Sequence, residues 1–206
     1  MVKSASQVEI SLGGWWVDLI SPSVKRSISP EGKAAISLRV QKKGDQPVIE
    51  LIRYHLQKKD DWDDFYDLFS SYLSEVCDEE EYKEEIDDLH NDELNARMIN
   101  QTIQEHNPYF VMRIVENKVC IGLISYSYHE EYSKGFINNF YVCSERRNSG
   151  VGSATLQMVE NHLQSLGAKY IELVPVKTAE RFYIRNGFDF SRTSSDGERV
   201  FGKVII

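Results

Sequence analysis

Apolar positions along this chain follow two rhythms, and the switches between them mark its elements. Alternation over Val48 to Tyr54 predicts a strand. Trp62, Phe65, Tyr66, Phe69, Tyr72 and Leu73 then recur at helical spacing and predict a helix over 62–76. Ile86, Leu89, Leu94, Met98, Ile99 and Ile103 keep that spacing, with breaks, from Glu80 to Gln104, and Asn107-Pro108 ends this second helical stretch. Tyr109 to Val115 and Val119 to Tyr128 read as a hairpin around Asn117-Lys118, and Phe136 to Cys143 as the next strand. A helix follows from Gly150 to Leu166, with Val151, Ala154, Met158, Val159 and Leu163 inward and Gly167 closing it. Tyr170 to Val174 is a short strand, Thr178 to Arg185 a helix stopped by Asn186-Gly187, and Phe188 to Arg192 with Arg199 to Val204 a final antiparallel pair. The order predicts an α/β fold, a mixed and mostly antiparallel sheet flanked by helices.

Ahead of this lie three short alternating segments, Val8 to Leu12, Trp15 to Ile20 and Ala35 to Val40, punctuated by Gly13-Gly14 and Pro30-Glu31-Gly32. They suggest a small β-rich N-terminal extension, 1–46, joined through the polar stretch 42–47 to a main domain, 47–206. Trp15 and Trp16 have packing on the main domain as their simplest use and a partner surface as the alternative.

Candidate chemistry concentrates where the Phe136 strand meets the next helix, in Arg147-Asn148-Ser149-Gly150-Val151-Gly152-Ser153. Glycines let a backbone approach a ligand and take φ > 0. A helix start offers unpaired N–H groups and a partial positive charge, and together these make an anion pocket, most often for phosphate. Arg147 adds a permanent cation. A plain bend permitted by two glycines is the simpler alternative. A Walker A loop is excluded because no Gly-Lys-Ser/Thr follows. A dinucleotide fingerprint fails because Thr155 takes the third small-residue position, and too little chain follows for a doubly wound sheet.

These residues resemble the Arg/Gln-x-x-Gly-x-Gly/Ala loop of the GNAT superfamily of N-acyltransferases. Phe140-Tyr141-Val142 is similar to the family strand that pairs with the pantetheine arm, and Ala179 to Phe188 to its second signature, a helix with an aromatic-Tyr pair ending at Gly-Phe. The resemblance implies that acetyl-CoA is the co-substrate. It places the cofactor at Phe140, Tyr141, Val142, Arg147, Asn148, Ser149, Gly150, Val151, Gly152 and Ser153. It implies transfer of an acetyl group to a primary amine, of a small molecule or a protein, in a ternary complex. Tyr183 matches the family's general acid, and a backbone N–H of Tyr141 or Val142 its oxyanion donor. A homodimer is left open by the family's habits.

The same comparison exposes departures. The positions where many relatives carry a base are Asn138 and Asn139, which cannot accept a proton near neutrality. Glu130 and Glu131 are substitutes acting through water, or simply exposed loop carboxylates. Val176 stands where the family often has Asn, leaving Lys177 as a candidate for a CoA phosphate, and Ser144 where it commonly has Pro. Cys143 offers an acyl-cysteine route, against the plainer role of small apolar filler. The missing strand carboxylate and the extension keep a second class in play, a non-catalytic acyl-CoA-binding sensor. A third reading is a regulatory or toxin-like acetyltransferase aimed at protein or RNA.

Composition changes this picture in three places. The chain of 206 residues is 41% hydrophobic and has no long apolar run, so it reads as globular without a membrane span. Cys77, Cys120 and Cys143 are too few and scattered for a disulfide framework, and the five histidines show no ligand pairing. No metal is expected, and without a signal pattern a cytoplasmic location is. The net charge of −8 is uneven: 111–206 carries twelve Lys/Arg against ten Asp/Glu, whereas Asp78 to Glu93 holds ten carboxylates and one lysine. That cluster is either a lure for a cationic amine or a solvated helix face. Nucleic acid, which demands a basic face, is disfavoured.

Overall fold

The computed structural model describes residues 37–40, as backbone only, and 48–205. The strands expected at 8–12 and 15–20, their Gly and Pro turns and the junction at 41–47 lie outside the described residues. What is described of the extension is β1 (Ser37–Val40), which pairs antiparallel with β2 (Ile49–Arg53) at one edge of the main sheet.

Among the described residues eight strands form one sheet in the order β1-β2-β3-β4-β5-β6-β8-β7. The remaining strands are β3 (Tyr109–Glu116), β4 (Val119–His129), β5 (Lys134–Val142), β6 (Tyr170–Leu173), β7 (Asp189–Thr193) and β8 (Arg199–Val204). Every pairing is antiparallel except β5 with β6. Helices cover both faces, which is why the central strands are apolar almost throughout rather than alternating. On one face α1 (Lys59–Val76), α2 (Glu79–Leu89) and α3 (Asp92–Thr102) enclose a core of Phe65, Tyr72, Leu73 and Leu89 against Val111, Leu123 and Tyr141. On the other, α4 (Val151–Leu166) and α5 (Glu180–Arg185) pack Leu156, Val159, Leu163 and Tyr183 on Met112, Ile124 and Ile137.

The helical stretch read as one from Glu80 is two helices. Asn91 interrupts it, its side-chain oxygen accepting from the N–H groups of Glu93 and Leu94, while Asp78 and Glu81 form a capping box on α2. Short polar side chains that bond the backbone locally favour such starts over helix interiors. α1 begins earlier than its apolar stripe, because its first turn is polar and carries Asp60 and Asp61. The hairpin turn is where the sequence puts it: Asn117 and Lys118 both have φ > 0, at 51° and 70°, as a two-residue turn demands.

Two irregularities in β5 shape the molecule. A bulge opposite Ser125/Tyr126 makes Asn138 an extra residue, and the ladder with β6 runs only from Lys134 to Ile137. Beyond that point β5 remains bonded to β4 alone, through Val142 opposite Gly122, and a gap opens on its other side. Gly122 is needed there, since a Cβ on it would lie 2.2 Å from the Tyr141 carbonyl oxygen. Gly122→Ala should therefore cost about 1–3 kcal/mol of stability by overpacking, measured as a lowered urea midpoint; an unchanged midpoint would show that the two strands can part freely.

Candidate functional site

The turn after β5 is built to leave amides open. Gly150 caps α4 in the left-handed region at φ 88°, where a side chain would be strained although space is free, and Asn148 is also left-handed at φ 60°. The first helical bond is from Ala154 N–H to Gly150 O, and no side chain caps the helix. The N–H groups of Val151, Gly152 and Ser153 are thus the unpaired donors of a helix start. Gly152 is tightly packed for a different reason: an added Cβ would meet the Phe182 ring at 3.0 Å, so the ring would have to shift slightly where α4 and α5 touch.

Arg147 is already occupied. Its Nε donates to the Val142 carbonyl at 2.7 Å, its guanidinium pairs with Glu75 at the end of α1, and it lies over the Tyr141 ring. Tyr141 also donates its hydroxyl to Glu75, at 2.7 Å. Arg147 and this anion-ready turn form one mouth of a cleft of about 1310 Å³ that follows the gap beside β5. Phe140, Tyr141, Val142, Arg147, Asn148, Gly150, Gly152 and Ser153 all line it. Ser149 and Val151 do not: the Ser149 hydroxyl turns back to the Arg146 carbonyl, and Val151 is buried in the α4 core.

Which amides face the gap follows from strand alternation. Cys143 N–H donates to Ile121 O on β4 at 2.9 Å, so Tyr141, two residues back, also turns its amide toward β4. Phe140 and Val142 turn theirs into the gap. Of the two oxyanion donors anticipated, Val142 has the open direction and Tyr141 does not.

Tyr183 stands on the floor of the cleft, packed edge-on against Phe182 and Phe188, and its hydroxyl makes no hydrogen bond among the described residues. Burial, reinforced by nearby Tyr72, holds its pKa well above a free phenol. It is therefore protonated at any physiological pH, a donor and not a base.

The other candidates fall away from the cleft. Glu130 and Glu131 sit on the exposed turn after β4, Glu130 within 3.4 Å of His106, and neither lines the gap. Asn139 is spent on the Ser125 hydroxyl at 2.9 Å, whereas bulged Asn138 keeps a buried, unpartnered Oδ1 at the cleft wall. Cys143 packs with the α1–α3 core, burial raising its thiol pKa, and is not among the cleft residues. Lys177 is also outside the lining; Arg181 and Arg185 are inside it, exposed and pairing with no carboxylate among the described residues. Their spacing on a short helix gave no signal without knowing which side of α5 the cleft occupies.

A second cavity, of about 430 Å³, opens under α1, α2 and α3 and shares Tyr72, Val76, Asn138, Val174 and Val176 with the first. Two hollows meeting beside a splayed strand suit a reaction between two bound molecules.

The fold and site match a known family. Residues 62–188 fit the model of the acetyltransferase (GNAT) family, more than half of the chain, and the protein belongs to that family. Among solved structures it resembles the PaiA N-acetyltransferase of Thermoplasma acidophilum in complex with coenzyme A (TM-score 0.61, 16% identity), over 76% of this chain and 98% of that one. A GNAT acetyltransferase of Staphylococcus aureus Mu50 aligns with a TM-score of 0.56 at 16% identity, over 77% and 99% of the two chains. An aminoglycoside 6'-N-acetyltransferase complexed with coenzyme A gives 0.54 at 14%, over 76% and 97%. At such identities the likeness is one of fold. No curated protein matches the chain in sequence.

Burial alone would raise the Glu75 pKa, but the Tyr141 hydroxyl and the Arg147 guanidinium outweigh it and hold the group below its ordinary value. A depressed carboxylate stabilises the fold above its unfolded pKa of about 4.3 and loses that contribution as pH falls through the folded value. Glu75→Gln should thus lower the melting temperature more at pH 7 than at pH 3, where part or all of the wild-type contribution is already lost. An equal loss at both pH values would show that charge plays no part.

Proposed function

We propose that this acetyltransferase takes its acetyl group from acetyl-CoA and passes it directly to a primary amine. The observation that carries the reading is the row of unpaired amides at Val151, Gly152 and Ser153, the last two on the lining of the cleft beside the splayed half of β5. The diphosphate lies on the turn from Arg147 to Ser153, where oriented N–H groups and the positive end of α4 favour negative charge. Ser149 and Val151 contribute main-chain N–H groups there, not side chains. Arg181 and Arg185 add cations along the same cleft. The pantetheine arm takes the place of the missing strand, pairing with the open edge at Phe140 and Val142. The two neighbours solved with coenzyme A support this placement as analogies of fold.

In the reaction the ammonium first loses a proton to water, since only the neutral amine has a lone pair. Its nitrogen attacks the thioester carbonyl, and the negative charge that develops on oxygen is met by the Val142 N–H, a donor that needs no reorganisation. The C–S bond then breaks, the sulfur takes a proton from Tyr183, and the second proton to leave nitrogen returns, through water, to restore the Tyr183 hydroxyl. The products are an amide, free thiol and one proton to solvent. A phenol in this apolar pocket is a weak acid, but a thiolate released there is destabilised by the same desolvation and remains a competent acceptor. The free thiols of Cys77, Cys120 and Cys143 suit a reducing, cytoplasmic setting.

Calorimetry with coenzyme A tests the first half of this scheme and thiol release from acetyl-CoA with added amines the second; binding with no turnover on any amine would support a sensor instead. Tyr183→Phe should reduce kcat by about 100- to 10,000-fold while leaving coenzyme A affinity within a factor of about two. A variant that turns over normally would remove Tyr183 from the chemistry.

A further inference from the structure

The second cavity has acidic walls whose charges nothing in the described structure answers. Glu81, Glu84, Glu85 and Asp88 line it from α2, and Glu198 from the loop before β8. No described lysine or arginine pairs with Glu84, Glu85, Asp88 or Glu198. Elsewhere the protein does pair its buried acids: Glu116 with Arg146, Glu160 with Lys203, and Glu172 with Lys134 and Arg192. Glu85 and Asp88 are half-buried, whereas Glu81, Glu84 and Glu198 are exposed. An unpaired carboxylate drawn out of water is costly, so the half-buried pair on the cavity wall points to a cation that arrives from outside.

Tyr72 supplies an independent pointer. It is 6% exposed, lines both cavities, and its hydroxyl has no hydrogen-bond partner among the described residues. Its acidity is weakened by burial, by Cys77 and by Glu85, and it weakens that of Tyr183 in turn. Tyr72 therefore lies within electrostatic reach of both the thiol-protonating phenol and the acidic wall. With the unpartnered Asn138 Oδ1, it marks the passage between the cavities.

We propose that this cavity is the acceptor site and that it selects an amine bearing a second positive charge. The reacting nitrogen sits between Tyr72 and Asn138, and the distal ammonium lies among Glu84, Glu85 and Asp88. This rests on the acetyl-CoA reading of the neighbouring cleft and adds the acceptor's chemical class. The distal charge takes no part in bond making; it anchors the chain so that the other nitrogen faces the thioester.

The site also responds to pH. Burial first, and then Asp88, Glu81 and Glu84, push Glu85 up to about 7. The groups lining the cavity around it are those three acids on its own helix, Tyr72 and Cys77 from α1, the neutral Asn95 and Met98 of α3, and Glu198 across the cavity; none is a cation. Glu85 gains its charge as pH rises through 7, so dication affinity increases from pH 6 to pH 8.

The test uses the full chain saturated with coenzyme A and three probes of similar length: 1,4-diaminobutane, n-butylamine and 4-aminobutanoate. Calorimetry should show the diamine binding about tenfold or more tightly than the monoamine, and the amino acid not at all. Thiol release from acetyl-CoA should rank the three in the same order. Glu85→Gln, and separately the exposed Glu84→Gln paired with Asp88→Asn, should erase the diamine's advantage while leaving n-butylamine and coenzyme A affinities unchanged. Equal affinity for diamine and monoamine, or an advantage that survives both sets of substitutions, overturns the inference. If coenzyme A itself is not taken up, the reading of the cleft falls too; if it binds and the diamine is not preferred, only the acceptor class is wrong.

Discussion

Strand β5 shares a ladder with β6 over Lys134 to Ile137, and past that point the amides of Phe140 and Val142 face no partner strand among the described residues. Unpaired backbone inside a sheet is costly unless something satisfies it. Here the opening is held by covalent and steric facts on the far side: the bulge at Asn138 re-aims the strand, and Gly122 lets β4 follow it closely. The turn that carries the open amides of Val151, Gly152 and Ser153 follows where the strand stops. The placement proposed for the cofactor, the direction of the Val142 amide and the meeting of two cavities all depend on that parting of strands.

How much of this could be read from sequence depends on how local each feature is. The turn at Arg147 to Ser153 was legible because its glycines, its cation and the helix after it are contiguous. The hairpin at Asn117-Lys118 was legible for the same reason. Tertiary placement was not. Glu130 and Glu131 drew attention by their chemistry but sit on an exposed turn, while Arg181 and Arg185 reach the cleft without any motif to announce them. The choice between Tyr141 and Val142 needed the direction of one hydrogen bond, from Cys143 to Ile121. The break between α2 and α3 was signalled by Asn91, whose capping role competes with a helical pattern that runs straight through it.

Charge is arranged on the two sides of the sheet for two different purposes. The buried acids Glu116, Glu160 and Glu172 are each matched with lysine or arginine and serve the fold. Four of the acids on α2, Glu81, Glu84, Glu85 and Asp88, pair with no cation among the described residues and line a hollow. The same ten-carboxylate segment that looked like an ordinary solvated face from its composition has its inner side turned toward Tyr72 and Asn138, and only the structure distinguishes that inner side from the outer one.

In the proposed cofactor site, Arg147 would meet an incoming phosphate with its guanidinium already held by Glu75. The phosphate must displace that carboxylate or share the cation with it, so the gain is a difference between two ion pairs and not the whole of one. A resident counter-charge of this kind keeps the empty mouth from trapping stray anions, at the expense of grip, and leaves most of the discrimination to the fixed geometry of the peptide dipoles. It also makes uptake an exchange of one ion pair for another, whose ionic-strength dependence is shallower than a count of positive side chains would suggest.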